Sequence, residues 1–168
     1  MSAYEIRHVV TLEETNVVGN VYYANYVRWQ GHCREMFLRD HTPELLHELG
    51  NGLNFVTTRV SCEFFQELFA FDEVVIRMRV GVVTRGRVSM TFEYLRAGDA
   101  GGELVAKGEQ QIACMRKDSS RLVPAPLPPS LCLALEIYAE TGGAHCERKS
   151  VAPAPGVRMG SPFTAQNL

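Results

Sequence analysis

Residues 22–39 read YYANYVRWQGHCREMFLR, and their apolar spacing is helical. At about 100° per residue, Tyr26, Trp29, Cys33, Met36 and Phe37 share one face while Arg28, His32 and Glu35 share the other, which predicts a helix that buries one broad stripe. What surrounds it is strand-like. IRMRV (76–80) alternates Ile76, Met78 and Val80 with arginines, and VSMTFEY (88–94) alternates Val88, Met90, Phe92 and Tyr94 with polar residues; period two marks half-buried strands. TRGR (84–87) separates these two as a tight turn, and GDAGG (98–102) precedes a third run, ELVAKGEQQIACMR. With LNFVTTRVSCEFF (53–65) and the opening AYEIRHVVTL there are five strands, four of them consecutive. Their short connections require antiparallel pairing. The expected class is α+β: a five-stranded antiparallel sheet wrapped around a long central helix.

Seven of the eight prolines fall after Val123, and none lies between Pro43 and Val123, as central strands require. TPELLHELGNG (42–52) predicts a short second helix, with Thr42 placed to cap, Pro43 at the first helical position and Gly50 and Gly52 to stop it. PPSLCLALEIYAE (128–140) predicts a third at the domain edge. Residues 1–140 form the expected domain, and 141–168, with little apolar area to bury, the expected disordered tail.

A length of 168 residues fits one domain with a real core. The net charge of −2 and the absence of a basic cluster argue against a nucleic-acid partner, leaving a small or protein-borne one. No run approaches the roughly 18 apolar residues of a membrane span, and MSAYEIRHVV is not patterned as a signal peptide, so no membrane association and a cytoplasmic location are expected. Five widely spaced cysteines without C-x-x-C point to neither a disulfide framework nor a zinc site.

There is no G-x-S-x-G, the five histidines lack metal spacing, and no glycine-rich phosphate cradle is present. No metal and no cofactor are expected. Cys33 lies within the apolar stripe and reads as a core thiol. The remaining chemistry lies in ETNVVGNVYY (14–23), a polar loop feeding a helix N-terminus whose unpaired N–H groups can hold a developing oxyanion. Arg34 falls at the border of the stripe beside Val27 and Gln30. It either snorkels or pairs with Glu63 or Glu35 for structure, or offers its charge to a ligand; periodicity leaves both readings open. Asn16 by itself reads as turn chemistry.

These residues resemble a known family. ETNVVGNVYYANYVRW followed by REMFL is similar to the signature of hotdog-fold thioesterases of the 4-hydroxybenzoyl-CoA type, E-T-D-x-x-G leading to N-Y and a central helix. The likeness continues through VTTRVSCEFFQELFAFDEVVIRMRV and LVAKGEQQIACMRK. One departure stands out: where the family has a catalytic aspartate, this chain has Asn16, and an amide cannot take a proton at neutral pH. With that departure, NVYYANYVRWQGHCREMFL looks most like the thioesterases that accompany iterative enediyne polyketide synthases.

That narrower resemblance implies hydrolysis of a linear polyene or polyketide acyl chain from an acyl carrier protein, with later decarboxylation where the acid is 3-oxo. It implies Asn16, Tyr26 and Arg34 as catalytic residues, and a homodimer or homotetramer with sites between subunits. Gly19, Tyr23, Trp29 and Thr57 are the expected substrate-binding residues, and Glu63 is an alternative base. A general acyl-CoA thioesterase of the same fold and a non-catalytic acyl-binding protein are the competing readings.

Overall fold

A computed structural model describes residues 2–98 and 102–139. In chain order these form β1 (Tyr4–Val9), a 3-10 turn (Leu12–Glu14), α1 (Ala24–His41), α2 (Pro43–Glu48), β2 (Leu53–Phe64), β3 (Glu73–Val83), β4 (Arg87–Arg96), β5 (Glu103–Asp118), β6 (Arg121–Pro124) and α3 (Pro129–Glu136). One antiparallel sheet runs β1-β3-β4-β5-β2, with β6 paired to the end of β5. The sheet curls around α1, giving the hotdog arrangement.

Alternation makes this sheet one-sided. Val74, Ile76, Met78 and Val80 of β3 and Val88, Met90, Phe92 and Tyr94 of β4 are buried beneath α1, which returns Tyr26, Trp29, Cys33 and Phe37. The intervening residues face outward and pair across strands, as in Arg79 to Glu93 at 2.7 Å and Arg96 to Glu103 at 2.7 Å. Arg28, His32 and Glu35 are exposed on the far side of α1. The helix ends where Thr42 leaves helical geometry before Pro43, since a residue preceding proline avoids the α region. The Thr42 hydroxyl donates back to the Leu38 carbonyl at 3.2 Å and makes no cap bond to α2. Among the described residues no helix is long and apolar enough to cross a membrane.

Two expectations require correction. The sheet has six strands, not five: β6 is short, exposed and ends on a proline, so it carries no alternating pattern. Cys33, Cys62 and Cys114 are free thiols, whereas Cys132 is disulfide-bonded. The expected tail, 141–168, lies outside the described residues.

Candidate active site

Thr11 opens the 3-10 turn with a reciprocal capping box, its backbone N–H donating to the Glu14 carboxylate at 2.8 Å. Glu14 is buried, at 7% exposure. One carboxylate oxygen also meets His8 Nε2 at 2.8 Å, and the other accepts the Trp29 indole N–H at 2.8 Å. The Glu14 backbone carbonyl takes the Tyr22 N–H at 2.9 Å and the Asn25 side-chain amide at 2.8 Å. Burial alone would push this carboxyl up, but the bonds from Thr11, His8 and Trp29 outweigh it and hold the group below the usual carboxylate range. Glu14 thus ties β1, the loop and α1 together.

After that anchor the chain makes a tight excursion. The Asn16 carbonyl oxygen of the side chain accepts the Val18 N–H at 2.9 Å, its amide donates to Asn20 Oδ1, and Gly19 adopts φ +93°, which favours glycine. Asn16 is therefore turn chemistry, yet its amide keeps one N–H and its oxygen one lone pair for another partner. Asn16, Asn20, Val21, Tyr23, Tyr26 and Phe64 help to line a cleft of about 290 Å³ at the start of α1. The N–H groups of Asn25 and Tyr26 are spent on the carbonyls of Tyr22 and Tyr23, so any oxyanion role of this first turn falls to the donors at Tyr23 and Ala24. Burial pushes the Tyr26 hydroxyl up to about 12, so at neutral pH it stays protonated and can donate.

Tyr26, Gln30 and Arg34 form an i, i+4, i+8 row along α1, running antiparallel to β2. Tyr26 packs on Phe64, ring centroids 5.0 Å apart. Gln30, fully buried, donates to the Ser61 carbonyl at 3.0 Å. Arg34 donates to Gln110 Oε1 at 2.9 Å and to the Thr57 hydroxyl at 3.3 Å, both neutral, and not to Glu63 or Glu35. Burial pulls its guanidinium down from the ordinary value, with Glu35 acting weakly in the other direction. Along the helix axis Arg34 stands about 12 Å from Tyr26, and it does not line the Asn16 cleft.

The structure thus brings Asn16, Tyr23 and Tyr26 together and sets Arg34 and Thr57 apart from them. Gly19 shapes the loop without lining the cleft. Trp29 is buried at 4% exposure with its N–H committed to Glu14, so it is a core residue and not a channel wall. Glu63 is displaced too: Phe64 faces the cleft, and the residue before it faces the outer side of the sheet beside Lys107, Arg79 and Glu93. Cys33 is fully buried, and burial pushes its thiol up to about 12, which makes it inert.

Sequence reasoning missed Glu14, Gln110 and Glu67. The first was legible in T-L-E-E (11–14), whose T-x-x-E spacing is a capping box. Gln110 sits on the inward alternation of β5 between Gly108 and Ile112. Glu67 lines the cleft from the loop after β2, its carboxylate accepting the Asn20 amide at 2.7 Å.

The profile of the thioesterase-like superfamily matches residues 10–135. Among solved structures, the dynemicin thioesterase, described for induced-fit and allosteric effects on polyene binding, is 45% identical, with 83% of this chain and 99% of that one covered at a TM-score of 0.79. A 1,4-dihydroxy-2-naphthoyl-CoA thioesterase from Synechocystis (18% identity, 80% and 96% covered, TM-score 0.71) shares the fold. So does an Asp-to-Asn mutant of 4-hydroxybenzoyl-CoA thioesterase in complex with 4-hydroxybenzoyl-CoA (16% identity, 79% and 98% covered, TM-score 0.70). No curated protein matches the chain.

Proposed function

The chain belongs to the thioesterase-like superfamily and is a thioesterase, and from that premise we propose that it releases a polyene or polyketide acyl chain from an acyl carrier protein. The observation that carries this reading is the cleft at the start of α1, where Asn16, Tyr23 and Tyr26 converge from a loop and a helix. The 45% identity to a thioesterase studied for polyene binding supports the acyl class. A thioester is already activated, so the protein's task is to place water and hold the oxyanion. Asn16 positions the water through its remaining amide N–H or carbonyl lone pair. Tyr26 and the first-turn N–H groups donate to the carbonyl oxygen. A 3-oxo acid released in this way loses CO₂ afterward to give a methyl ketone.

Arg34 completes the site from a second copy. β2 is the sheet edge, with Val56, Val60 and Phe64 37%, 41% and 48% exposed, and an apolar edge invites pairing. Antiparallel pairing of two β2 edges centred near Val60 and Ser61 sets Thr57 opposite Phe64 of the partner subunit. Arg34, which rests on Thr57, then arrives at the partner's cleft with only neutral hydrogen-bond partners of its own. Its guanidinium acts as a hydrogen-bond donor to negative charge and never as a base.

The test compares hydrolysis of a carrier-protein-bound polyene with that of a simple acyl-CoA. Faster release from the carrier protein is expected. Faster cleavage of the acyl-CoA would move the assignment to a general acyl-CoA thioesterase, and binding without release of free acid would make the protein an acyl binder.

A further inference from the structure

The two arms of the Asn16 side-chain amide have nearly the same shape, so its direction is decided by its hydrogen-bond partners. We propose that Asn20 is a positioning residue for the reaction: it turns the nitrogen arm of Asn16 into the cleft, so that Asn16 meets the substrate or the attacking water as a donor. This rests on the reading of the cleft as the site of thioester hydrolysis.

One backbone group and three side chains form a single run of hydrogen bonds. The Val18 N–H donates to Asn16 Oδ1 at 2.9 Å, Asn16 Nδ2 donates to Asn20 Oδ1, and Asn20 Nδ2 donates to Glu67 Oε1 at 2.7 Å. Each end has one polarity only, because a backbone N–H cannot accept and a carboxylate at neutral pH has no proton to give. Reversing either amide, or both, breaks two of the three bonds. Glu67 serves as the acceptor that closes the run and takes no part in proton transfer.

The direction follows from where the ends lie. Asn20 lines the cleft and Val18 does not, so the nitrogen arm of Asn16 stands on the cleft side and its second N–H is left to meet a ligand there.

The backbone frames this run without help from the Asn20 side chain. The Asn16 N–H donates to the Asn20 carbonyl at 2.8 Å and the Gly19 N–H to the Asn16 carbonyl at 2.9 Å. Asn20 also pairs with Phe69 as an isolated β-bridge, the Val21 N–H donates to the Leu68 carbonyl at 2.8 Å, and Arg96 donates to the Glu67 carbonyl. The two loops are thus joined through their backbones, and the Asn20 side chain is not needed to join them.

The experiment measures kcat and KM of Asn20→Ala, Asn20→Lys, the double variant Asn20→Asp/Glu67→Lys and Asn16→Ala, using whichever of the two thioesters compared above is cleaved faster. Thermal unfolding serves as a fold check. Asn20→Ala removes the acceptor, and kcat should fall about 10²-fold, the cost of a group misplaced by roughly 1 Å, with KM little changed. The remaining variants at position 20 separate direction from attachment. Asn20→Lys can pair with the native Glu67 and tie the loops, but it offers Asn16 only donors, so its kcat should stay low. In the double variant the new carboxylate accepts from both Asn16 and the new ammonium, and kcat should return most of the way to the wild-type value. Equal rates in these two variants, or a wild-type kcat in Asn20→Ala beside an inactive Asn16→Ala, overturn this proposal alone. Wild-type rates in Asn16→Ala remove the reading of the cleft and this proposal with it.

Discussion

Arg34 and Glu14 show how differently a charge can be used within one helix's surroundings. Arg34 is held by the neutral oxygens of Gln110 and Thr57, so its positive charge remains available, and removing a donor aimed at a developing oxyanion typically costs about 10²- to 10³-fold in kcat. Arg34→Ala should show a loss of that size by steady-state kinetics with its melting transition nearly in place; a normal rate in the folded variant would show that the guanidinium is scaffold. Glu14 is the reverse, a carboxylate whose charge is consumed by the fold. Because its folded pKa lies below its unfolded one, the stability it contributes is present above the unfolded value of about 4.3 and is lost as pH falls through the folded value. Urea unfolding across acidic pH should therefore weaken more steeply in the wild type than in Glu14→Gln. At neutral pH that variant should be less stable by about 1–3 kcal/mol, the usual cost of abandoning buried partners of a charged group.

Helix α1 lies close over β5 at one point only because that strand carries a glycine there. A Cβ at position 108 would collide with the Gln30 side-chain amide, and Gln30 is fully buried and bonded to Ser61. Gly108→Ala should cost about 1–3 kcal/mol as an overpacked core position. Adding Gln30→Ala should recover part of the loss, a non-additivity that chemical denaturation of the two single variants and the double variant would measure; strictly additive losses would place the strain elsewhere. The same elements show what the sequence discloses. The stripe of α1 and the alternation of β3 and β4 are local patterns, repeated often enough to outweigh any single residue, and they put Arg34 at the stripe's border where it is found. Glycine at 108 and glutamine at 30 are 78 residues apart, so their fit is invisible until the sheet curls. Glu67 is equally hidden, since it meets Asn20 from 47 residues away. Glu63 reads as an alternative base because strand alternation says only that it and Phe64 take opposite faces, and the structure gives the cleft face to Phe64.

In the molecule as a whole, the single chain separates the groups that the proposed reaction combines. Asn16 and Tyr26 sit at one end of the α1 row and Arg34 at the other, about 12 Å apart along the axis. In the dimer proposed above, a two-fold operation across the β2 edge would exchange those ends and let each composite site draw its cleft from one subunit and its guanidinium from the other. Subunit mixing tests this directly. Dimers of Asn16→Ala alone and of Arg34→Ala alone should each be nearly inactive. Co-expressed in equal amounts they assemble about half as heterodimers, each with one site built entirely of native residues, so activity should return to about one quarter of the wild type. Were the catalytic groups all supplied by one chain, every site in the mixture would carry a lesion, and differentially tagged heterodimers purified from it would stay as inactive as their parents.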